Sequence, residues 1–105
     1  MKVLNAFSFN MISAMPATVR VEEITPEVAA QLLRQDGIQS AVGHQDTAAV
    51  FGQTLDIEVP CNRVSVVLRP GEQVVVGQYS GPRLTEGSMS LPEGAAIKWL
   101  LVQID

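Results

Sequence analysis

Residues 25–56, TPEVAAQLLRQDGIQSAVGHQDTAAVFGQTLD, contain two helical patterns separated by a short extended run. A threonine N-cap, a proline at the first helical position and a closing Asp-Gly pair predict an amphipathic helix over 26–35. The run 38–42 predicts a short strand, which Gly43 ends. From His44 onward the apolar spacing predicts a second helix. This helix–strand–helix order indicates a domain that combines helices with a sheet.

Apolar and alternating stretches on both sides of this segment predict the remaining strands. VLNAF (3–7) and ATVRVEEI (17–24) precede it, and AIKWLLVQI (96–104) is a nearly continuous apolar run that we expect at the centre of the sheet. RVSVVLRPGEQVVVGQY (63–79) has two β-branched halves around a Pro-Gly turn, which predicts an antiparallel hairpin. We therefore predict a mixed α/β fold, with one mixed β-sheet of about five strands and two main helices, in a single domain over 1–105.

Composition limits the classes of function. The 105 residues are 47% hydrophobic, carry a net charge of −4 and include no run long enough to span a membrane, so we expect an uncleaved cytoplasmic protein without a membrane partner. The negative charge argues against binding long nucleic acid, although two or three arginines could still hold a small anion. One histidine and one cysteine predict no metal, no cofactor and no internal disulfide. Cys61 is expected to be a small buried residue at the start of a strand, and a reactive thiol is the alternative.

Two patterns contain residues suited to acid–base chemistry. His44 follows Gly43 at the start of a helix, where backbone N–H groups bind anions, so an imidazole there lies within reach of a bound phosphate. A lone histidine is nevertheless more often structural. In PRLTEG (82–87), Arg83 and Glu86 can present a guanidinium to a phosphate and a carboxylate to a hydroxyl, and the alternative is a surface ion pair.

Two further patterns have simple structural explanations. NAFSFN (5–10) clusters Asn5, Ser8 and Asn10 at the end of a strand as a candidate polar site, and the alternative is turn chemistry, which would account for the asparagines without a ligand. Arg63 opens a predicted strand, where a solvated edge is the alternative to a binding role. None of these patterns is specific by itself, but their combination is.

Taken in order, LNAFSFNM, SAVGHQDTA, VPCNRVSVVL and RLTEG resemble the small viral anti-CRISPR ring nuclease family, over about residues 3–91. The resemblance implies a homodimer that binds cyclic tetra-adenylate, the second messenger of type III CRISPR systems, and linearises it without a metal or cofactor. It implies that His44 protonates the leaving 5′-oxygen while the ribose 2′-hydroxyl attacks, that Arg83 holds the phosphate and that Glu86 orients or deprotonates the hydroxyl. The ligand-lining residues that it implies are Asn5, Ser8, Asn10, Thr47, Arg63 and Gln78.

The sequence departs from the family pattern in three places. The segment SGPRL (80–84) is one residue longer than usual, which affects the register of Gln78 against Arg83. Asp46 stands where a well-known form carries a small hydroxyl residue, so we expect its carboxylate to pair with Arg63 or to point away from the phosphate. After Glu86 the family tends to carry a helix that acts as a lid, whereas the segment here is short and broken by a proline and a glycine. We therefore expect lid closure to be weaker or to be achieved differently.

Two other classes of function stay open at this point. One is a dimer that sequesters a cyclic oligonucleotide without cleaving it, for which His44 is only a hydrogen-bond donor. The other is a structural or DNA-binding dimer in which the histidine merely caps a helix. The joint presence of His44, Arg83 and Glu86 favours the enzyme, because sequestration needs no acid, and the net charge argues against DNA.

Overall fold

The computed structural model describes residues 1–105, which form one five-stranded sheet and two helices. The elements are β1 (Lys2–Leu4), β2 (Val19–Ile24), α1 (Pro26–Asp36), β3 (Gln39–Ala41), α2 (Gln45–Leu55), β4 (Gln73–Ser80) and β5 (Ala96–Ile104), with a 3-10 turn at Phe9–Met11. The sheet order is β2-β5-β4-β1-β3. β5 pairs antiparallel with β2 and β4, whereas β1 pairs parallel with β3 and β4. The predicted mixed α/β fold is confirmed.

The two helices begin differently. Thr25 caps α1 by accepting a hydrogen bond from the N–H of Val28 at 3.1 Å, and Pro26 occupies the first turn. α2 begins directly after His44, which has an extended backbone and makes no side-chain capping bond. The imidazole is therefore not used to cap the helix that follows it. Neither helix has the length and apolar character needed to cross a membrane.

The helices pack on one face of the sheet, around an aromatic pair. The rings of Phe51 in α2 and Trp99 in β5 lie 4.8 Å apart between centroids, with 62° between their planes. Gly77 in β4 makes this packing possible, because a Cβ there would lie 2.6 Å from the Phe51 ring and 2.7 Å from the Trp99 ring. A second cluster on the opposite face contains Leu4, Leu68, Val74, Val76, Val102 and Ile104.

The hairpin predicted over 63–79 is wrong. Its second half forms β4, but residues 57–72 contain no strand, and only a single bridge joins Leu68 to Ile12. β4 pairs with β5 along all eight of its residues and with β1 on its other side, so both of its edges are already occupied. The strand over 96–104 is confirmed as an interior strand, although β4 and not β5 is the middle strand.

The segment after α2 runs beside β3 instead. Ser40 donates its hydroxyl to the carbonyl of Pro60 at 2.6 Å, and the N–H of Asn62 donates to the carbonyl of Val42 at 2.8 Å. The Asn62 side-chain amide also donates to the carbonyl of Ser40, at 2.9 Å. Cys61 lies between these anchors and is exposed, so the prediction of a buried cysteine in a strand is wrong. The bonds on either side face β3, which leaves the Cys61 side chain turned to solvent.

Candidate functional site

Three of the candidate residues lie at the end of the sheet where the carboxyl ends of the parallel strands meet. Asn5 directly follows β1, His44 lies shortly after β3, and Gln78 lies in the last part of β4. α2 begins at this same end of the sheet, so its free N–H groups lie beside His44. In sheets with parallel strands, ligands bind outside the carboxyl ends of the strands. The topology therefore places Asn5, His44 and Gln78 at the end of the sheet where a ligand is expected.

A cavity of about 330 Å³ lies at the N terminus of α2. His44 and Thr47 from the start of the helix border it, together with Arg83 from the segment between β4 and β5. The other residues that line it are Asp46, Tyr79 and Leu84. The structure thus brings three predicted site residues into one cavity, with an imidazole, a hydroxyl and a guanidinium beside a helix N terminus.

Arg63 lies close to this cavity because the residues before it are anchored to β3. Its side chain packs across Gly43, the residue before His44, and a Cβ on Gly43 would be 3.5 Å from the Arg63 Nε. Neither Arg63 nor Arg83 takes part in an ion pair, since the three pairs in the structure involve other residues. Two unpaired guanidinium groups are therefore available to an anion near His44, and Asp46 adds one carboxylate to the lining of the same cavity.

Glu86 does not line the cavity that contains His44. It borders a neighbouring cavity of about 400 Å³, between the first turn of α2 and the segment after β4. Asp46 borders both cavities, and its carboxylate accepts a hydrogen bond from the N–H of Gly87 at 3.0 Å. Of the two alternatives expected for Asp46, pairing with Arg63 is not observed. The carboxylate is bonded to the backbone of the segment that carries Glu86.

The remaining predicted residues lie elsewhere. Asn5 and Gln78 line a third cavity of about 350 Å³, on the sheet face opposite the helices, with Phe7, Val21 and Leu100 among its apolar neighbours. Ser8 accepts a hydrogen bond from the N–H of Asn10 at 3.2 Å, on an exposed 3-10 turn. The Ser8 hydroxyl is thus engaged in a turn. Within one protomer, Asn5 and Gln78 line the same cavity, and neither of them lines the cavity of His44.

Sequence reasoning missed Tyr79. This residue lies on the helix side of β4, two residues after Gly77, and lines the cavity that contains His44 and Arg83. Its hydroxyl donates a hydrogen bond to the carbonyl of Pro82, immediately before Arg83. The alternation of side chains along a strand was the signal that could have found it.

No group of three or more His, Cys, Asp or Glu side chains is arranged to hold a metal ion.

Comparison with known proteins shows which family this chain and its fold belong to. The structure of B116 of Sulfolobus turreted icosahedral virus superposes with a TM-score of 0.82 and 26% sequence identity, covering 97% of each chain. "Uncharacterized protein 26" of Sulfolobus islandicus filamentous virus (isolate Iceland/Hveragerdi) is 30% identical over 73 residues, which are 70% of this chain and 62% of that protein. The chain thus spans less than two thirds of the length of this curated relative.

A family model described as STIV B116-like matches residues 1–98. The chain therefore belongs to the STIV B116-like family. Both similar proteins are viral, so the expectation of a viral family is confirmed at this level.

Proposed function

We propose that this protein is a ring nuclease that binds and linearises cyclic tetra-adenylate, and so switches off type III CRISPR signalling in the cytoplasm of an infected cell. The observation that carries the proposal is the cavity at the start of α2, where His44 and Arg83 meet an uncapped helix N terminus. Arg63 adds a second guanidinium beside it. Phosphodiester recognition and proton transfer both require groups of these kinds.

The proposed reaction needs no nucleophilic side chain, because the ribose 2′-hydroxyl of the ligand supplies the nucleophile. Its oxygen bonds to the adjacent phosphorus, the bond from phosphorus to the 5′-oxygen breaks, and a cyclic phosphate end is formed. His44 donates a proton to the departing 5′-oxygen, and Glu86 orients the attacking hydroxyl or takes up its proton. Arg83 stabilises the charge that develops on the phosphoryl oxygens. This mechanism requires no metal ion and no cofactor.

The proposal includes a homodimer. Cyclic tetra-adenylate is a ring with four phosphates, and a two-fold axis through its centre gives each subunit an equivalent phosphate to cleave. A second protomer also doubles Arg63 and Arg83 around a ligand with four negative charges. Asn5 and Gln78 lie on the face away from His44, so a ligand that spans two protomers could meet both kinds of cavity.

The experiment is chromatography of cyclic tetra-adenylate after incubation with the protein in EDTA. We expect linear products with a cyclic phosphate end, and we expect His44→Ala to slow their formation at least about a hundredfold. Gln53→Ala is the matched control, because this exposed residue lies on the same helix but far along it from His44. It should cleave at the wild-type rate.

Two results would contradict the proposal. An intact ring that co-elutes with the protein would show binding without turnover, which is the sequestering alternative. One structural observation favours this alternative: Glu86 lies outside the cavity of His44. Cleavage that is unaffected in His44→Ala would leave the enzyme without its assigned acid.

A further inference from the structure

Residues 81–95, here called the β4–β5 loop, carry both Arg83 and Glu86 and are fixed firmly only at their root. Ser80 pairs with Ala96 at the end of the two strands, and Gly81 presses against Ala95 so closely that a Cβ on Gly81 would lie 2.7 Å from the Ala95 Cα. Tyr79 bonds to the backbone near this root. None of the loop residues is buried, so no hydrophobic core holds the far part of the loop in place.

Beyond the root, one hydrogen bond joins the loop to the rest of the protein. It runs from the N–H of Gly87 to the carboxylate of Asp46, at 3.0 Å. The other hydrogen bonds of the loop are internal, such as that from the N–H of Ser88 to the carbonyl of Thr85 at 3.0 Å. A cavity of about 400 Å³ lies between the loop and the first turn of α2. The bond from Gly87 to Asp46 is the hydrogen bond that spans this gap.

We infer that Asp46 is a positioning residue, whose carboxylate clamps the β4–β5 loop and so holds Arg83 and Glu86 in a fixed relation to His44. Asp46 lies two residues after His44, in the first turn of α2, so the clamp ties the loop directly to the residue assigned as the acid. The part of this inference that concerns cleavage rests on the proposed function. The clamp itself rests on the hydrogen bond between Gly87 and Asp46 and on the absence of any other hydrogen bond from the far part of the loop to the rest of the protein.

The Asp46 carboxylate has two effects, since it holds the loop and also disfavours an anion in the cavity. Two substitutions can separate these effects. Asp46 borders the cavity proposed to hold a phosphate, and its negative charge disfavours an anion there. Asp46→Asn keeps a side-chain oxygen that can accept the bond from Gly87 and removes the charge, whereas Asp46→Ala removes both. Asn should therefore preserve the clamp, and Ala should abolish it.

The first measurement is amide hydrogen exchange at Gly87 in the free protein, followed by NMR. We expect Asp46→Ala to speed this exchange by about fivefold to tenfold, the effect of losing one charge-assisted hydrogen bond at a partly exposed site. Asp46→Asn should stay within about twofold of the wild type. Glu27→Ala is the control, because Glu27 occupies the corresponding position in the first turn of α1 and should leave Gly87 unchanged.

The second measurement separates binding of cyclic tetra-adenylate from its cleavage under single-turnover conditions. We expect Asp46→Ala to slow cleavage of the bound ring by about fivefold to tenfold, with Kd and thermal midpoint nearly unchanged. Asp46→Asn should cleave at close to the wild-type rate and bind at least as tightly, since it removes a negative charge beside the phosphate. A purely structural role for Asp46 would not produce this split between rate and affinity.

The clamp is overturned if Asp46→Ala leaves exchange at Gly87 unchanged, or if Asp46→Asn is as damaging as Asp46→Ala. Wild-type protein that leaves the ring intact contradicts the proposed function. In that case exchange at Gly87 still decides whether Asp46 holds the loop.

Discussion

The two sides of the candidate site are built in opposite ways. His44 stands at the start of α2, whose inner residues Ala48 and Phe51 are 2% and 0% exposed. Arg83 and Glu86 stand on the β4–β5 loop, none of whose residues is buried. Core packing holds α2 and the residue at its start in place. The loop is held by its root and, beyond the root, by one hydrogen bond to the rest of the protein. Substitutions in the core should therefore change stability, and substitutions that act on the loop should change its motion and the chemistry.

The largest effect is expected from Phe51→Ala, which empties the centre of the core behind α2. Loss of a fully buried aromatic ring should lower the free energy of unfolding by about 3–5 kcal/mol. Met89→Ala is the counterpart in the loop, and because Met89 is 69% exposed its effect should stay within about 0.5 kcal/mol. Urea denaturation measures both. Equal losses would mean that the loop is packed as firmly as the helix.

A smaller difference is expected between two glycines, one in each region. Gly77→Ala forces a Cβ against the rings of Phe51 and Trp99, at 2.6 and 2.7 Å, and should cost about 1–3 kcal/mol. Gly94 in the loop has open space around it but a φ of +81°, so Gly94→Ala should cost only the backbone strain, about 1 kcal/mol. Denaturation midpoints give the order. If Gly94→Ala lowered the stability more than Gly77→Ala, the expected difference between the core and the loop would be wrong.

The smallest effect concerns an ion pair at the opposite end of the sheet. Burial by itself would raise the pKa of Glu72, but the hydrogen bond from the Lys2 ammonium and that from the Arg69 N–H outweigh it. Together they hold the pKa of this carboxyl below its ordinary value of 4.5. The charged form is favoured by folding, so its stabilisation is present above the unfolded pKa and is lost as pH falls through the lower folded value.

Glu72→Gln should therefore be less stable than the wild type by up to about 1 kcal/mol at pH 7, and this gap should close as pH falls below 4.5. Cleavage should be unaffected, because Lys2 begins β1 and Glu72 precedes β4, at the amino ends of strands whose carboxyl ends carry the site. Denaturation at several pH values measures the gap. A gap that stays constant down to pH 3 would contradict this account.

The sequence predicted the helical side of the site well, because its signals are local. A capping threonine, a glycine break and apolar residues at helical spacing each act within a few residues, and they placed both helices and His44 at the start of the second. Strand pairing is not local. The β-branched run before Arg69 looks like a partner for β4, yet β5 and β1 occupy both edges of that strand. No short window of sequence shows that competition.

The loop side could be predicted only in part for the same reason. PRLTEG indicated a guanidinium and a carboxylate, and the structure puts Arg83 in the cavity of His44 but Glu86 in the next one. The bond between Asp46 and Gly87 joins residues 41 positions apart. An aspartate in the first turn of a helix is already explained by the helix dipole, so nothing in the local pattern pointed to a second role.

The order of strands also bears on when the sheet can form during synthesis. β5 lies between β2 and β4, although it is the latest of the five strands along the chain. β2 therefore has no hydrogen-bonding neighbour until residues 96–104 have emerged from the ribosome, and until then its edge is open to other chains. The antiparallel half of the sheet thus forms late, and a nascent chain that stalls before β5 would be exposed to proteolysis and strand-mediated aggregation.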